Sequence, residues 1–169
     1  RPDSLRLPRL SQFAYKPTQF YLQYPKKFSK SKIEENSIVE SNDGRIFIIL
    51  DIPEPEYVII SDSEMTEGRR LSKNIVDRYT VLPKFGLKAN MFLDKDVVEG
   101  WVDSAPLRLL YAILIDHPPQ VALAEKDLRN SLRSLVTSKH KWNIWWDGTK
   151  KLCLDNPCSL RIVNDKWTL

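Results

Sequence analysis

Arg45-Ile46-Phe47-Ile48-Ile49-Leu50-Asp51-Ile52-Pro53-Glu54-Pro55-Glu56-Tyr57-Val58-Ile59-Ile60-Ser61 is the stretch on which the fold turns. It holds two uninterrupted apolar runs, Ile46 to Leu50 and Tyr57 to Ile60, each of strand length and rich in β-branched side chains. Pro53 and Pro55 break the first run. The two runs either pair across those prolines or flank them as neighbours in a small sheet. Neither run alternates with polar residues, so both faces of the sheet need cover, which predicts helices packed against it.

Upstream, residues 33–45 are polar and end in the turn signal Asn42-Asp43-Gly44. Before them, Pro2, Pro8, Pro17 and Pro25 are spaced so that no long helix fits between them. The same segment carries Phe13, Tyr15, Phe20, Tyr21 and Tyr24, and disordered chains are poor in aromatics. We therefore read 1–45 as an extended basic and aromatic arm, with those five rings as candidate partner-docking anchors. An arm lying on its own domain is the plainer alternative.

Downstream, Ser61 and Glu64 match a capping box, which predicts a helix to about Tyr79 with Leu71, Ile75 and Tyr79 on one face. Pro83 to Ala89 reads as a loop. Asp94 caps a helix from Lys95 to about Asp103, and Ser104 caps the next, Ala105 to Ile115, with Pro106 tolerated in its first turn. Pro118 and Pro119 stop it. Val121 to Val136 follows, with Leu128, Leu132, Leu135 and Val136 on one stripe and Lys126, Arg129 and Arg133 opposite. Trp142 to Leu154 reads as the last helix, stopped by Pro157. Two short strands, Leu160 to Val163 and Trp167 to Leu169, join through Asn164-Asp165. The fold class is α+β: a small β-sheet with packed helices, then a C-terminal helical, winged-helix-like unit. The divisions are the arm over 1–45, a small α/β unit over 46–93 and the helical unit over 94–169.

Charge is segregated along the 169 residues. The chain has 26 basic and 22 acidic residues, net +4. Residues 1–32 hold eight basic residues against Asp3, and residues 126–151 hold seven against Asp127 and Asp147. Those segments carry +7 and +5, which leaves −8 for the rest. Two basic surfaces, and a DNA or RNA partner, follow more readily from this distribution than from the total. The chain begins at Arg1 rather than Met, as a processed form or a piece of a longer chain would. Two cysteines, Cys153 and Cys158, make no disulfide framework and suit a reducing, intracellular setting, cytoplasmic or nuclear. No apolar run reaches the length of a membrane span, so no membrane partner is expected.

Chemistry-bearing patterns are sparse. His117, His140, Cys153 and Cys158 show no metal-ligand spacing, so no metal and no cofactor is expected. His117 reads as a helix C-terminal histidine and His140 lies in a basic run, and no nucleophile elbow is present. Five scattered glycines make no phosphate cradle. Asp51, Glu54 and Glu56 are half of the carboxylate set that a metal-dependent nuclease needs, and an acidic loop is the simpler reading. No catalytic residue is assigned, and the chain is read as no enzyme.

The most distinctive constellation is Trp142-x-x-Trp145-Trp146-x-x-x-Lys150-Lys151-Leu152, followed by Asp155-Asn156-Pro157 and short strands. This pattern resembles the tryptophan-and-lysine helical accessory modules of long relatives of Gre-type transcript-cleavage factors. The likeness extends over Trp142 to Leu169 only. The chain departs from it at Gly148, at Cys153 and in the inserted Asn156, and lacks the acidic-tipped helical hairpin that acts in RNA polymerase. The resemblance implies a transcription-related binding module and no cleavage activity. By helical spacing alone, at least one of the three tryptophans is a packing residue and another is partly exposed. Arg129, Arg133, Lys139, Lys141, Lys150 and Lys151 are the candidate nucleic-acid contacts. The functional expectation is a non-catalytic nucleic-acid-binding or assembly module of a larger nucleoprotein or transcription-type complex. The alternatives are a protein-interaction or structural subunit that docks through its arm, and a nuclease.

Overall fold

The two apolar runs pair directly. In the computed structural model, which describes residues 32–117, 121–155 and 160–168, β2 (Ile46–Glu54) and β3 (Tyr57–Ser61) form an antiparallel hairpin. Pro53 does not end the first strand as expected. Register shifts between Ile49 and Asp51 and between Asp51 and Glu54 accommodate the proline, which can donate no ladder hydrogen bond. Three further strands, β1 (Ile38–Glu40), β4 (Arg69–Ser72) and β5 (Thr80–Val81), complete an antiparallel sheet in the order β4-β3-β2-β1-β5.

Both faces of this sheet are covered, as continuous apolar strands require. Phe47, Ile49, Val58 and Ile60 share one buried cluster with Ile33, Val39 and Val76. Ile48 and Ile38 point the other way and pack with Leu82, Ala89 and Leu93. The short helix α1 (Lys73–Val76) supplies Val76 to the first cluster, and α2 (Leu87–Leu93) supplies Ala89 and Leu93 to the second.

Three expectations are corrected here. Residues 33–45, expected as the end of the arm, supply a strand to the sheet: within β1 (Ile38–Glu40) Val39 pairs with Phe47 and with Val81, and Ile33, Ile38 and Val39 are buried. Their polar composition hid a three-residue strand followed by a tight turn, in which Gly44 takes φ +82°. The helix expected over 61–79 is a turn, the strand β4 and the single helical turn α1. Asp62 ends the strand instead of Ser61 capping a helix, its Oδ1 accepting from the Glu64 and Met65 amides at 2.9 and 2.8 Å. Arg69–Ser72 then pairs with β3, which exchanges local helical bonds for ladder bonds and buries Leu71 against the first cluster. The loop expected over Pro83 to Ala89 becomes helix α2 from Leu87 onward, because Ala89 and Leu93 lie one turn apart against the sheet.

The described residues fall into two compact units, the first reaching Lys84 and taking in Lys88–Asp94, the second comprising Phe85–Leu87 and everything from Lys95. The second unit contains α3 (Lys95–Ser104), α4 (Pro106–Ile115), β6 (Leu123–Ala124), α5 (Glu125–Thr137), α6 (Trp142–Asp155), β7 (Arg161–Val163) and β8 (Lys166–Thr168). Helix α4 touches α3, α5 and α6, which is why every residue from Arg108 to Ile115 is buried. Pro106 is accommodated at its start, whereas Ser104 makes no cap: its hydroxyl donates back to the Gly100 carbonyl at 2.9 Å. The helix expected from Val121 begins at Glu125 instead. Leu123 is buried and pairs with Trp167, so Leu123–Ala124 is the first strand of a sheet ordered β6-β8-β7. The β7–β8 turn carries Asn164 and Asp165 at φ 50° and 59°, the two left-handed residues of a tight hairpin. Pro118, Pro119 and Pro157 lie outside the described residues.

Two glycines provide opposite tests of this packing. A Cβ on Gly68 would stand 2.7 Å from Ile59 Cγ2, a branch atom that cannot swing away. Gly68→Ala should therefore destabilise the fold by about 1–3 kcal/mol in denaturant titration. Gly100, inside α3, has no atom within 4 Å of its would-be Cβ, and Gly100→Ala should stabilise by about 0.5–1 kcal/mol.

Candidate nucleic-acid interface

Helix α5 forms because Leu128, Leu132, Leu135 and Val136 recur on one stripe, and all four are buried. That stripe fixes where the charges point. Lys126, Arg129 and Arg133 follow at i, i+3 and i+7, which at 100° per residue places them within about 60° of one another on one flank of the helix. All three are exposed. The Arg129 guanidinium lies 5.8 Å from the centre of the Trp142 ring, so this flank faces the start of α6. Lys126 was absent from the candidate set, although the i, i+3, i+7 spacing marks it.

The six candidate cations do not form one group. Lys139 Nζ lies 3.6 Å from Asp103 Oδ2 and donates to the Glu99 carbonyl at 3.2 Å. Beside it, His140 Nε2 hydrogen-bonds Asp103 Oδ1. These contacts fasten the α5–α6 turn to the end of α3, and they occupy Lys139. Lys150 pairs with Asp147 at 3.3 Å and approaches the Trp146 ring. Lys126, Arg129, Arg133, Lys141 and Lys151 are exposed and make no ion pair with a carboxylate among the described residues.

The tryptophans beneath them are core. The Trp142, Trp145 and Trp146 side chains are all buried, so none is the partly exposed ring expected from the sequence. Trp142 stacks on Trp146 with centroids 5.4 Å apart and ring planes 16° apart. Trp146 meets Trp167 of β8 at 5.3 Å. Trp145 Nε1 donates to the Val102 carbonyl at 2.8 Å, which satisfies a buried polar group and ties α6 to α3. Cys153 is buried on the same helix. Cys158 lies outside the described residues.

The docking anchors Phe13, Tyr15, Phe20, Tyr21 and Tyr24 also lie outside the described residues. The carboxylates Asp51, Glu54 and Glu56 are all exposed. Glu54 pairs with Arg70 at 2.9 Å, and the three form no group able to hold a metal ion. A shallow cleft of about 500 Å³ lies beside them, lined by residues including Glu56, Tyr57, Lys73 and Asp77. Within it Lys73 bridges Asp77 at 2.8 Å. His117 is the helix-end histidine expected, its Nδ1 lying 2.9 Å from the Ile113 carbonyl. No helix of the described residues is long and apolar enough to cross a membrane.

No family model, curated protein or solved structure matches the chain.

The Asp103 contact carries a pH dependence. The hydrogen bond from His140 holds the Asp103 carboxyl below its ordinary value of 3.8, against a smaller opposing desolvation, with the charges of His140 and Lys139 adding to the effect. A depressed folded value means stabilisation that is present above the unfolded value and lost as pH falls through the folded one. Asp103→Asn should therefore be less stable than the wild type near neutral pH, with the difference closing in thermal melts as pH falls through the depressed folded value. His140→Ala should raise the Asp103 titration midpoint, read by carboxyl NMR.

Proposed function

We propose that this chain is a nucleic-acid-binding module of a larger nucleoprotein assembly, with no catalysis of its own, and that its second unit works as a winged-helix-like element. The element order α4-β6-α5-α6-β7-β8 supports the comparison, since winged helices follow a helical core with a strand-turn-strand wing. The Asn164-Asp165 turn is then the wing. The tryptophan-and-lysine likeness to Gre-type accessory modules is consistent with a transcription-type setting.

The observation that carries the reading is the flank of α5. Lys126, Arg129 and Arg133, with Lys141 in the following turn, are exposed cations without a carboxylate partner among the described residues. A helix flank used only for solvation gains from paired charges at i, i+4. Glu125 stands four residues before Arg129, yet no ion pair joins them, and Lys126 and Arg133 have no acid at that spacing. Clustered uncompensated cations lower their mutual repulsion by meeting a polyanion, and counterion release from the polyanion supplies the driving force. Phosphate contact of this kind positions the protein on a duplex without reading its sequence.

The test is binding to a DNA duplex and an RNA duplex of arbitrary sequence across a salt series. The wild type should bind at low salt with a negative slope of log affinity against log salt. Arg129→Ala with Arg133→Ala should flatten that slope by about 2 units. Lys139→Ala should change it little, because Lys139 is engaged with Asp103 and Glu99. Absence of binding to either duplex at low salt would refute the proposal.

A further inference from the structure

The two most exposed large aliphatic side chains among the described residues both belong to α6: Ile144 is 70% exposed and Leu154 77%. They lie opposite the buried tryptophans. Asp147 and Lys151, also exposed, sit between them on the same face. At 100° per residue, these four residues fall within about 80° around the helix. Such a face is poorly suited to phosphate. The acids Asp147 and Asp155 match the bases Lys150 and Lys151 in number, so the helix has no net charge.

The face is complementary to itself. Ile144 and Leu154 are placed symmetrically about residue 149, and so are Asp147 and Lys151. A two-fold axis at that level, relating two antiparallel α6 helices, sets Ile144 of one copy against Leu154 of the other. The same axis sets Asp147 against Lys151, twice over. Isologous interfaces require this kind of pattern, in which i meets j and j meets i. The four positions also have the a, d, a, d spacing of a helix-pairing seam. Gly148, beside the midpoint, adds no side chain to hold the backbones apart. Asp147 already takes Lys150 at 3.3 Å on its Oδ1, and its second oxygen remains to accept from across the axis.

We propose that the outward face of α6 is a homodimer interface, and that its occupant is a second copy of this chain bound antiparallel. A helix of this length spans about 21 Å. A contact of that size lies below the usual area of a permanent interface, so the dimer is reversible, with a dissociation constant on the order of 10–100 µM. This surface is separate from the basic flank of α5, and the proposal stands whether or not that flank binds phosphate.

Sedimentation equilibrium of the full chain, at concentrations above and below that range, tests it. The wild type should show a monomer–dimer equilibrium. Asp147→Lys and Lys151→Asp should each raise the dissociation constant roughly tenfold, since each single change turns both symmetric pairs into like charges. The double variant D147K/K151D should restore the dimer, because the exchanged charges again face each other. Ile144→Ser should weaken it without altering charge. All four positions are exposed, and circular dichroism melts confirm that each variant folds. A wild type that stays monomeric overturns the proposal, and the face then serves a partner of other chemistry. A dimer indifferent to the single changes, or one that the double variant does not restore, overturns it equally.

Discussion

Four indoles hold the second unit together. Trp142 and Trp146 stack along α6, Trp145 leans on Trp142 at 5.4 Å, and Trp146 reaches across to Trp167 in the ribbon. Each such pair contributes about 0.5–1.5 kcal/mol beyond the area it buries. Trp145 Nε1 adds a directional bond to the Val102 carbonyl, so the cluster sets the rotation of α6 as well as its depth. That rotation turns Ile144, Asp147, Lys151 and Leu154 outward. The small C-terminal sheet depends on the cluster too, because Trp167 anchors β8, and β8 pairs with both β6 and β7.

The same packing decides which cations are available. Helix α5 presents its basic flank only because its opposite stripe is buried. The α5–α6 turn is then drawn down onto α3 by His140 and Lys139, both converging on Asp103. A basic run that reads as continuous in the sequence is thereby divided. Part of it is structural clasp, and part faces solvent. Exposed pairs of this sort contribute little to stability singly. Their effect here is on position: they hold the start of α6 where Arg129 lies over Trp142.

The first unit follows a different rule. Its central hairpin is apolar on both faces, and the protein covers it with short pieces: one helical turn, one two-turn helix and Ile33. None of these covering elements has a strong periodicity of its own. Their conformation comes from the surface they cover. This explains why the helix expected over 61–79 dissolved into turn, strand and a single turn, while the strands beneath it were plain to read.

The sequence by itself determined the strands Ile46–Leu50 and Tyr57–Ile60, the Asn42-Asp43-Gly44 and Asn164-Asp165 turns, and the helices from Lys95, Pro106 and Trp142. In each, an apolar period or a turn residue acts within a few positions of itself, so local chemistry suffices. The buried stripe and the basic flank of α5 were legible for the same reason. Only the tertiary structure decided that Ile38–Glu40 joins the sheet, that Leu123–Ala124 is a strand, and that Arg69–Ser72 is one too. Those segments are too short to carry a period, and the partner of one of them lies far along the chain, as Trp167 does from Leu123. It also decided that all three α6 tryptophans are buried, and that Lys139 belongs to Asp103. A residue's type states what it can bind, but whether a partner occupies it depends on what the fold brings within reach.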